Sequence, residues 1–443
     1  MVLSVYQIDR LWFEEGAGQT FLSSLFSQNQ QLYDISYYKY FTQPKRIITK
    51  TLDNRFSVSY TDISESSIHN IFNTVIAEML QTGQYDDEYV IDYNFLLEKP
   101  VIIYEYAFMM NSVIFSEVYS SRSNLLSRVE KFDCIYMIAE EDGINVFFAN
   151  SESSLMYKYI LSNNISLAER VKEEIKFFEN EADFYYASSK LLNLDIDKSL
   201  FFPMWESEEH VFYNPIKVMT SYYKYGDLTK TNLFRNIRYF FDNPEAVWDS
   251  TDISDRFTFS DNYTVVRYLE NDVLDYSNYR INQINRGSSF LDDFAQAISF
   301  IKSDPMMTNQ LYLSDYEEMG TIRTFYFNYV HNNAPVILTD TFDDKVLPIP
   351  YHIEITIIDG TLTKYRKFAY TFETAKESFR EANADILYLL DSVEVSDINF
   401  GYRLLILDKN EYGKEIGLTV GIIDNDGRES YIHSATISRE PSF

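Results

Sequence analysis

The spacing of apolar residues changes period several times along the chain, and each change marks an element. The clearest helical stretch carries Ile68, Ile71, Phe72, Val75, Ile76, Met79 and Leu80 at one-, three- and four-residue steps, so one face is apolar. Asp62 with Glu65 three residues on predicts a capping box ahead of it. Gly83 supplies the C-terminal stop. Leu167, Val171, Ile175 and Phe178 repeat the pattern on a more charged helix beginning near Ser166. The first stripe is read as core packed on a sheet rather than as a cofactor surface.

Between the helices, alternation and β-branched residues predict strands. Residues 46–48 and 56–60 flank a turn at Asp53-Asn54, and 101–106 and 114–119 are apolar or alternating runs. Residues 132–139 and 144–149 flank Glu141-Asp142-Gly143, a hairpin signal because Asp-Gly accepts the positive φ of a tight turn. Residues 233–279 read as a Phe-rich helix, an Asn243-Pro244 stop, a polar segment and several short strands separated by Asp/Asn turns. A strand at 272–276, a helix near 291–301 and a strand at 320–329 are then loosely echoed by 359–365, a helix near 374–391 and 401–407. A last hairpin runs 416–423, turns at Asp424-Asn425-Asp426-Gly427 and returns through 430–437.

This order predicts a multi-domain α+β fold of antiparallel sheets with helices packed on one face, its second and third domains loosely repeated. The expected division is a segment 1–30, an N-terminal domain 31–200, a middle domain 201–338 and a C-terminal domain 339–443. Phe202-Pro203 and Asn214-Pro215 bound the linker between the first two domains. Met1 to Tyr6 is apolar and then meets Trp12-Phe13-Glu14, as at the outer end of a spanning helix. We expect more apolar residues upstream of it; an ordinary amphipathic first helix is the plainer alternative. No run here reaches the ~18–20 apolar residues of a full span.

Composition narrows the function classes. The net charge of −29 sets the chain against nucleic acid, whose phosphates need Lys and Arg, and against anionic membrane surfaces. Only 13 glycines are present, too few for a protein built on phosphate-cradling loops. The 37 Tyr and 34 Phe suit partner-facing surfaces as well as cores, although A/T-rich codon drift produces the same bias. The single cysteine, Cys134, lies in an apolar run and reads as a buried structural thiol.

Motifs for chemistry are missing. His69, His210, His331, His352 and His433 lie at no zinc spacing from one another or from Cys134. In the Asp424-Asn425-Asp426-Gly427 turn an EF-hand register would put Ile422 at the first ligand position, where a carboxylate is required. Asp86-Asp87-Glu88 and Glu206-Ser207-Glu208-Glu209 are acidic clusters without ligand spacing, and Gly287-Ser288-Ser289 is a polar turn, not a nucleophile elbow. No catalytic, metal or cofactor residue is assigned, no cofactor is expected, and the chain is read as non-enzymatic.

Several segments together resemble the YycH family. They are Tyr40-Phe41-Thr42-Gln43-Pro44-Lys45-Arg46-Ile47-Ile48; Leu233-Phe234, Phe241-Asp242-Asn243-Pro244 and Val247; the Asp261-Asn262-Tyr263 turn; and Leu274-Asp275-Tyr276-Ser277-Asn278. Val395-Ser396-Asp397-Ile398-Asn399-Phe400-Gly401-Tyr402 resembles a segment shared with the companion YycI family. The acidic, Tyr-rich composition points to a divergent clostridial-type member. The resemblance implies one N-terminal membrane helix, a three-domain body outside the membrane and no enzymatic activity. It also implies a complex with a YycI-like protein and a WalK-like sensor histidine kinase of the WalK/WalR system, whose autophosphorylation is restrained. The alternative is an extracellular module whose aromatic grooves bind cell-wall glycan or peptide, favoured by Trp12, Trp205 and Trp248.

Overall fold

The structure is a computed structural model. It describes residues 39–51, 56–59, 67–92, 95–96, 98–119, 125–181, 184–188, 201–203, 211–213, 216–220, 230–250, 255–269, 272–280, 288–305, 307, 309–331, 334–338, 351–374, 379–381, 395–404, 415–416, 418–424, 429–433 and 435–436. The segment expected to end a membrane anchor, 1–30, lies outside them, as do Asp62, Glu65, Trp12 and Trp205.

A short helix, α1 (Lys39–Thr42), leads into the first sheet. Its strands are β1 (Arg46–Lys50), β2 (Phe56–Ser59), β3 (Gln84–Val90), β4 (Val101–Asn111), β5 (Lys131–Ala139), β6 (Gly143–Asn150), β7 (Leu155–Ser162), β8 (Phe184–Ser188) and β9 (Phe201–Pro203). They pair in the order β3-β7-β6-β5-β4-β1-β2-β8-β9, antiparallel throughout. Helices α2 (Ser67–Thr82) and α4 (Ile165–Glu181) lie side by side against it, and α3 (Ser112–Val118) follows β4. The apolar stripe expected on α2 is buried at every named position. So are Leu167, Val171, Ile175 and Phe178 of α4. Gly83 ends α2, its N–H donating to the Met79 carbonyl at 2.8 Å.

Two local expectations change. Residues 114–119, an apolar run by sequence, are largely helical. The Asn111 side chain caps α3 by accepting from the backbone N–H of Val113 and Ile114. Ile114 and Phe115 are buried, and Val118 and Tyr119 pack on the core four residues on. Gly143 does turn the expected hairpin, with Ala139 opposite Ile144, yet its φ is not left-handed. What excludes a side chain there is space: a Cβ would lie 2.2 Å from the Leu161 carbonyl oxygen.

The rest of the chain adds β10 (Val211–Tyr213), β11 (Ile216–Thr220), α5 (Lys230–Ile237), β12 (Trp248–Ser250), β13 (Asp255–Ser260), β14 (Thr264–Leu269), β15 (Val273–Asn278), α6 (Phe290–Ser303), β16 (Gln310–Met319), β17 (Ile322–His331) and β18 (Ala334–Leu338). There follow β19 (Ile353–Ile358), β20 (Thr361–Phe368), β21 (Tyr370–Thr374), β22 (Phe379–Glu381), β23 (Val395–Leu404), β24 (Glu415–Ile416), β25 (Leu418–Asp424), β26 (Glu429–His433) and β27 (Ala435–Thr436). Among the described residues these form a large sheet in the order β12-β13-β14-β15-β20-β19-β17-β18-β23-β25-β26, with β16 paired to β17. Two small sheets, β10-β22-β27 and β21-β11-β24, accompany it. Every pairing in the large sheet is antiparallel except β18 with β23. Mixed helices and antiparallel sheets make the chain α+β, as expected.

The division expected at 338/339 runs through the large sheet, because β15 pairs with β20 and β17 with β19. Of the helix expected near 374–391, the described residues are strand: Phe379–Glu381 pairs with β10. Partner pairing overrides local preference there. The β19–β20 hairpin turns on Asp359 (φ 50) and Gly360 (φ 73), the two left-handed positions a two-residue hairpin needs. Among the described residues no helix is long and apolar enough to cross a membrane.

Gly143→Ala is expected to destabilise the first sheet by roughly 1–3 kcal/mol through overpacking, read as a lower urea midpoint with unchanged slope.

Candidate functional site

The groups that most often do chemistry are occupied structurally. His69, on the buried face of α2, lies 3.3 Å from the Tyr104 hydroxyl. His352 is wholly buried; its Nδ1 lies 2.9 Å from Asn328 Oδ1, and its Nε2 meets no hydrogen-bond partner. Burial pulls its pKa down to about 3. Burial also lowers His331, on β17. His433 lies on β26, and His210 falls outside the described residues. Cys134 sits half-buried on β5, where desolvation pushes its thiol well up and keeps it protonated. Among the described residues, no three His, Cys, Asp or Glu side chains converge as metal ligands.

The sequence motifs resolve into local roles. Asp86-Asp87-Glu88 lies on β3, an edge strand, where charge discourages further strand pairing. Ser289 caps α6 in a capping box with Asp292. Asp424 ends β25, residues 425–428 lie outside the described residues, and 206–209 do too. In a buried ion pair of Asp304 with Lys367, the Asp304 carboxylate also accepts a hydrogen bond from the Tyr365 hydroxyl at 3.0 Å. It ties the end of α6 to β20 and faces no solvent.

The arrangement that joins the two larger sheets is a seam of aromatic rings. Phe41 of α1 is fully buried, and its ring is surrounded from both sides. Phe108 of β4 lies at 5.8 Å; Phe290 and Phe294 of α6 lie at 5.4 Å each, edge-on; Tyr316 of β16 lies at 5.9 Å. Edge-to-face packing of this kind adds to the burial of each ring. The Tyr316 hydroxyl accepts a backbone hydrogen bond from Asn111, and burial pushes its phenol up to about 12. Next to the rings, Lys302 stacks over Tyr40 at 4.6 Å. There a cleft of about 260 Å³ opens, with Tyr40 and Gln43 on one wall and Ile298, Ile301 and Leu311 on the other.

Sequence reasoning did not bring these rings together. Tyr40-Phe41 was visible as part of the family resemblance, and Phe290 and Phe294 are one helical turn apart. Nothing local links them. The contact is close-packed, so a change of volume at Phe41 is felt by the rings on both sides.

No protein-family model matches the chain, and no curated protein matches it. Among solved structures it is similar to YycH from Bacillus subtilis, at 9% sequence identity and a TM-score of 0.54 over 88% of this chain and 95% of that one. An uncharacterised protein from Eubacterium rectale overlaps at 13% identity and a TM-score of 0.32, over 56% and 86% of the two chains. The C-terminal domain of YpeB from Bacillus megaterium overlaps at 10% and 0.23, over 47% and 99%. The last two overlaps are too slight to bear on the fold; the first makes it YycH-like.

Phe41→Ala is expected to cost about 3–5 kcal/mol and to split a single calorimetric unfolding transition into two, as the sheets lose their common seam. A pH effect follows from His352. Its folded pKa, about 3, lies below the unfolded value of about 6.5, so the folded state binds fewer protons. The stability this neutral ring permits is full above pH ~6.5 and is lost as pH falls toward 3. His352→Leu should flatten the fall of the urea midpoint across that window relative to wild type.

Proposed function

We propose that this chain is a non-enzymatic, extracytoplasmic accessory regulator of a WalK-like sensor histidine kinase, acting in a membrane complex with a YycI-like protein. The observation that carries this reading is the YycH-like fold, which extends over most of both chains. It agrees with the family resemblance of the sequence segments quoted above. A regulator of this kind restrains kinase autophosphorylation by biasing one arrangement of a bistable transmembrane bundle.

The seam supports such a role. Phe41 lies at the start of the described residues, eleven positions beyond the 1–30 segment, and is packed against both sheets. A membrane helix upstream would be joined to the body close to the contact between the two sheets. The membrane tether would also supply effective concentration near the kinase, so a body without its helix should lose most of its control.

The test is co-purification from membranes of the full-length gene product with its native upstream segment. The expected outcome is recovery of a YycI-like protein and the sensor kinase, lost when the upstream helix is replaced by an unrelated one. Recovery of neither, or a soluble body that inhibits the kinase in membranes as well as the anchored one, would sink the proposal.

A further inference from the structure

The cleft beside Phe41 holds a polar group that the fold leaves unanswered. Gln43 lies one residue past the end of α1 and is only 6% exposed. It lines the cleft, and among the described residues its side-chain amide has no hydrogen-bond partner. A buried amide without a partner is costly, and native structures rarely keep one. Water is poorly held there. A buried water needs about two to four polar partners, and much of the wall is Ile298, Ile301, Leu311 and Val330.

A cation stands next to the amide. Tyr40 and Gln43 are one helical turn apart, and the Lys302 ammonium lies 4.6 Å from the centre of the Tyr40 ring. Ile298, Ile301 and Lys302 follow the i, i+3, i+4 spacing of one face of α6, so that face meets the cleft with two aliphatic side chains and one ammonium. Asn309 lines it as well and is fixed in place, donating to the Tyr370 carbonyl at 2.8 Å.

Size, charge and wall together select the occupant. An apolar cavity of about 150 Å³ holds benzene, so about 260 Å³ takes a molecule of roughly ten non-hydrogen atoms. Among the described residues that line the cleft, Lys302 is the only charged one. A cationic ligand would meet no counter-charge among them. A multiply charged anion would meet one ammonium inside the field of a chain at −29. A sugar would turn its hydroxyls against aliphatic side chains, which offer them no bonds. A single negative charge on a hydrocarbon body answers every wall. Its oxygens accept from the ammonium and the amide, and its carbons displace water from the isoleucines and Leu311.

We propose that this cleft binds a small aliphatic monocarboxylate, its carboxylate held by Lys302 and Gln43 and its hydrocarbon laid on Ile298, Ile301 and Leu311. The bound molecule touches both sides of the seam, because α1 leads into the first sheet and α6 packs on the large one. This assignment stands independently of the regulatory reading.

The test is titration calorimetry of the purified chain with octanoate, N-acetylleucine and octanamide. Saturable binding of at least one of the two acids is expected, with a dissociation constant on the order of 0.1–1 mM. Octanamide, which lacks the charge, should bind about tenfold more weakly than octanoate. Tighter binding of octanoate assigns an acyl chain as the ligand; tighter binding of N-acetylleucine assigns an amino-acid or peptide terminus. Lys302→Met keeps the aliphatic stem and should erase the preference for acid over amide. Gln43→Leu should weaken both acids about fivefold or more. Lys172→Met, on α4 and away from the cleft, should change nothing. Absence of saturable binding of either acid up to about 10 mM would overturn the site, leaving hydrated space only. Equal affinity for octanoate and octanamide would overturn it too, as would binding that survives both cleft substitutions. The acid–amide comparison uses the unaltered protein, so it decides the question even where a variant fails to fold. Purified protein suffices, so failure here leaves the membrane co-purification result untouched.

Discussion

Phe41 is wholly buried, yet it sits on a helix of four residues that has no core of its own. Its environment is borrowed: one ring from the first sheet, two from α6 and one from β16. Each donor element is anchored elsewhere. Phe294 packs on Phe325 and Phe327 of β17, and Tyr106 links Phe108 to Phe132 on β5. Through the seam the buried side chains of the two sheets run together as one apolar cluster.

The large sheet shows a second constraint. Its inner face is dry, with Phe240, Tyr276, Phe300 and Tyr365 packed ring on ring. Its outer face carries the paired charges of Arg267, Asp275, Arg366 and Glu354. One register sets both, because shifting any strand by one residue would exchange the two sets. The bulge in β13–β14 sits at the end of that pairing, between Asp255 and Phe257, whereas the one in β16–β17 falls in its middle, between Leu313 and Asp315.

Much of the fold was legible in the sequence for one reason: helical and strand periods are local properties. The stripes of α2 and α4, the capped α6 and the Asp359-Gly360 hairpin all follow from residues within a few positions of one another. Misreadings arose where a distant partner decided. Residues 379–381 became strand because β10 was there to pair with them, and Gly143 is needed because of Leu161, not because of its own φ. The sites were the least legible part. Phe41 meets Phe290 only through packing of the two sheets. An aromatic-rich composition announced rings without saying where they would gather.

The pairing of β15 with β20 has a consequence for biosynthesis. The two strands are bridged by Asp275 and Arg366, which lie 91 residues apart in the chain. At a synthesis rate of about 5–20 residues per second, β15 waits roughly 5–20 s with one hydrogen-bonding edge unfilled. Such long-range closure is slow and leaves strands open to mispairing. The nascent middle of this protein thus spends its first moments as an incomplete sheet. Whatever shields that edge, whether a chaperone or delayed release from the machinery that makes or exports it, helps decide how much of the chain reaches its final form.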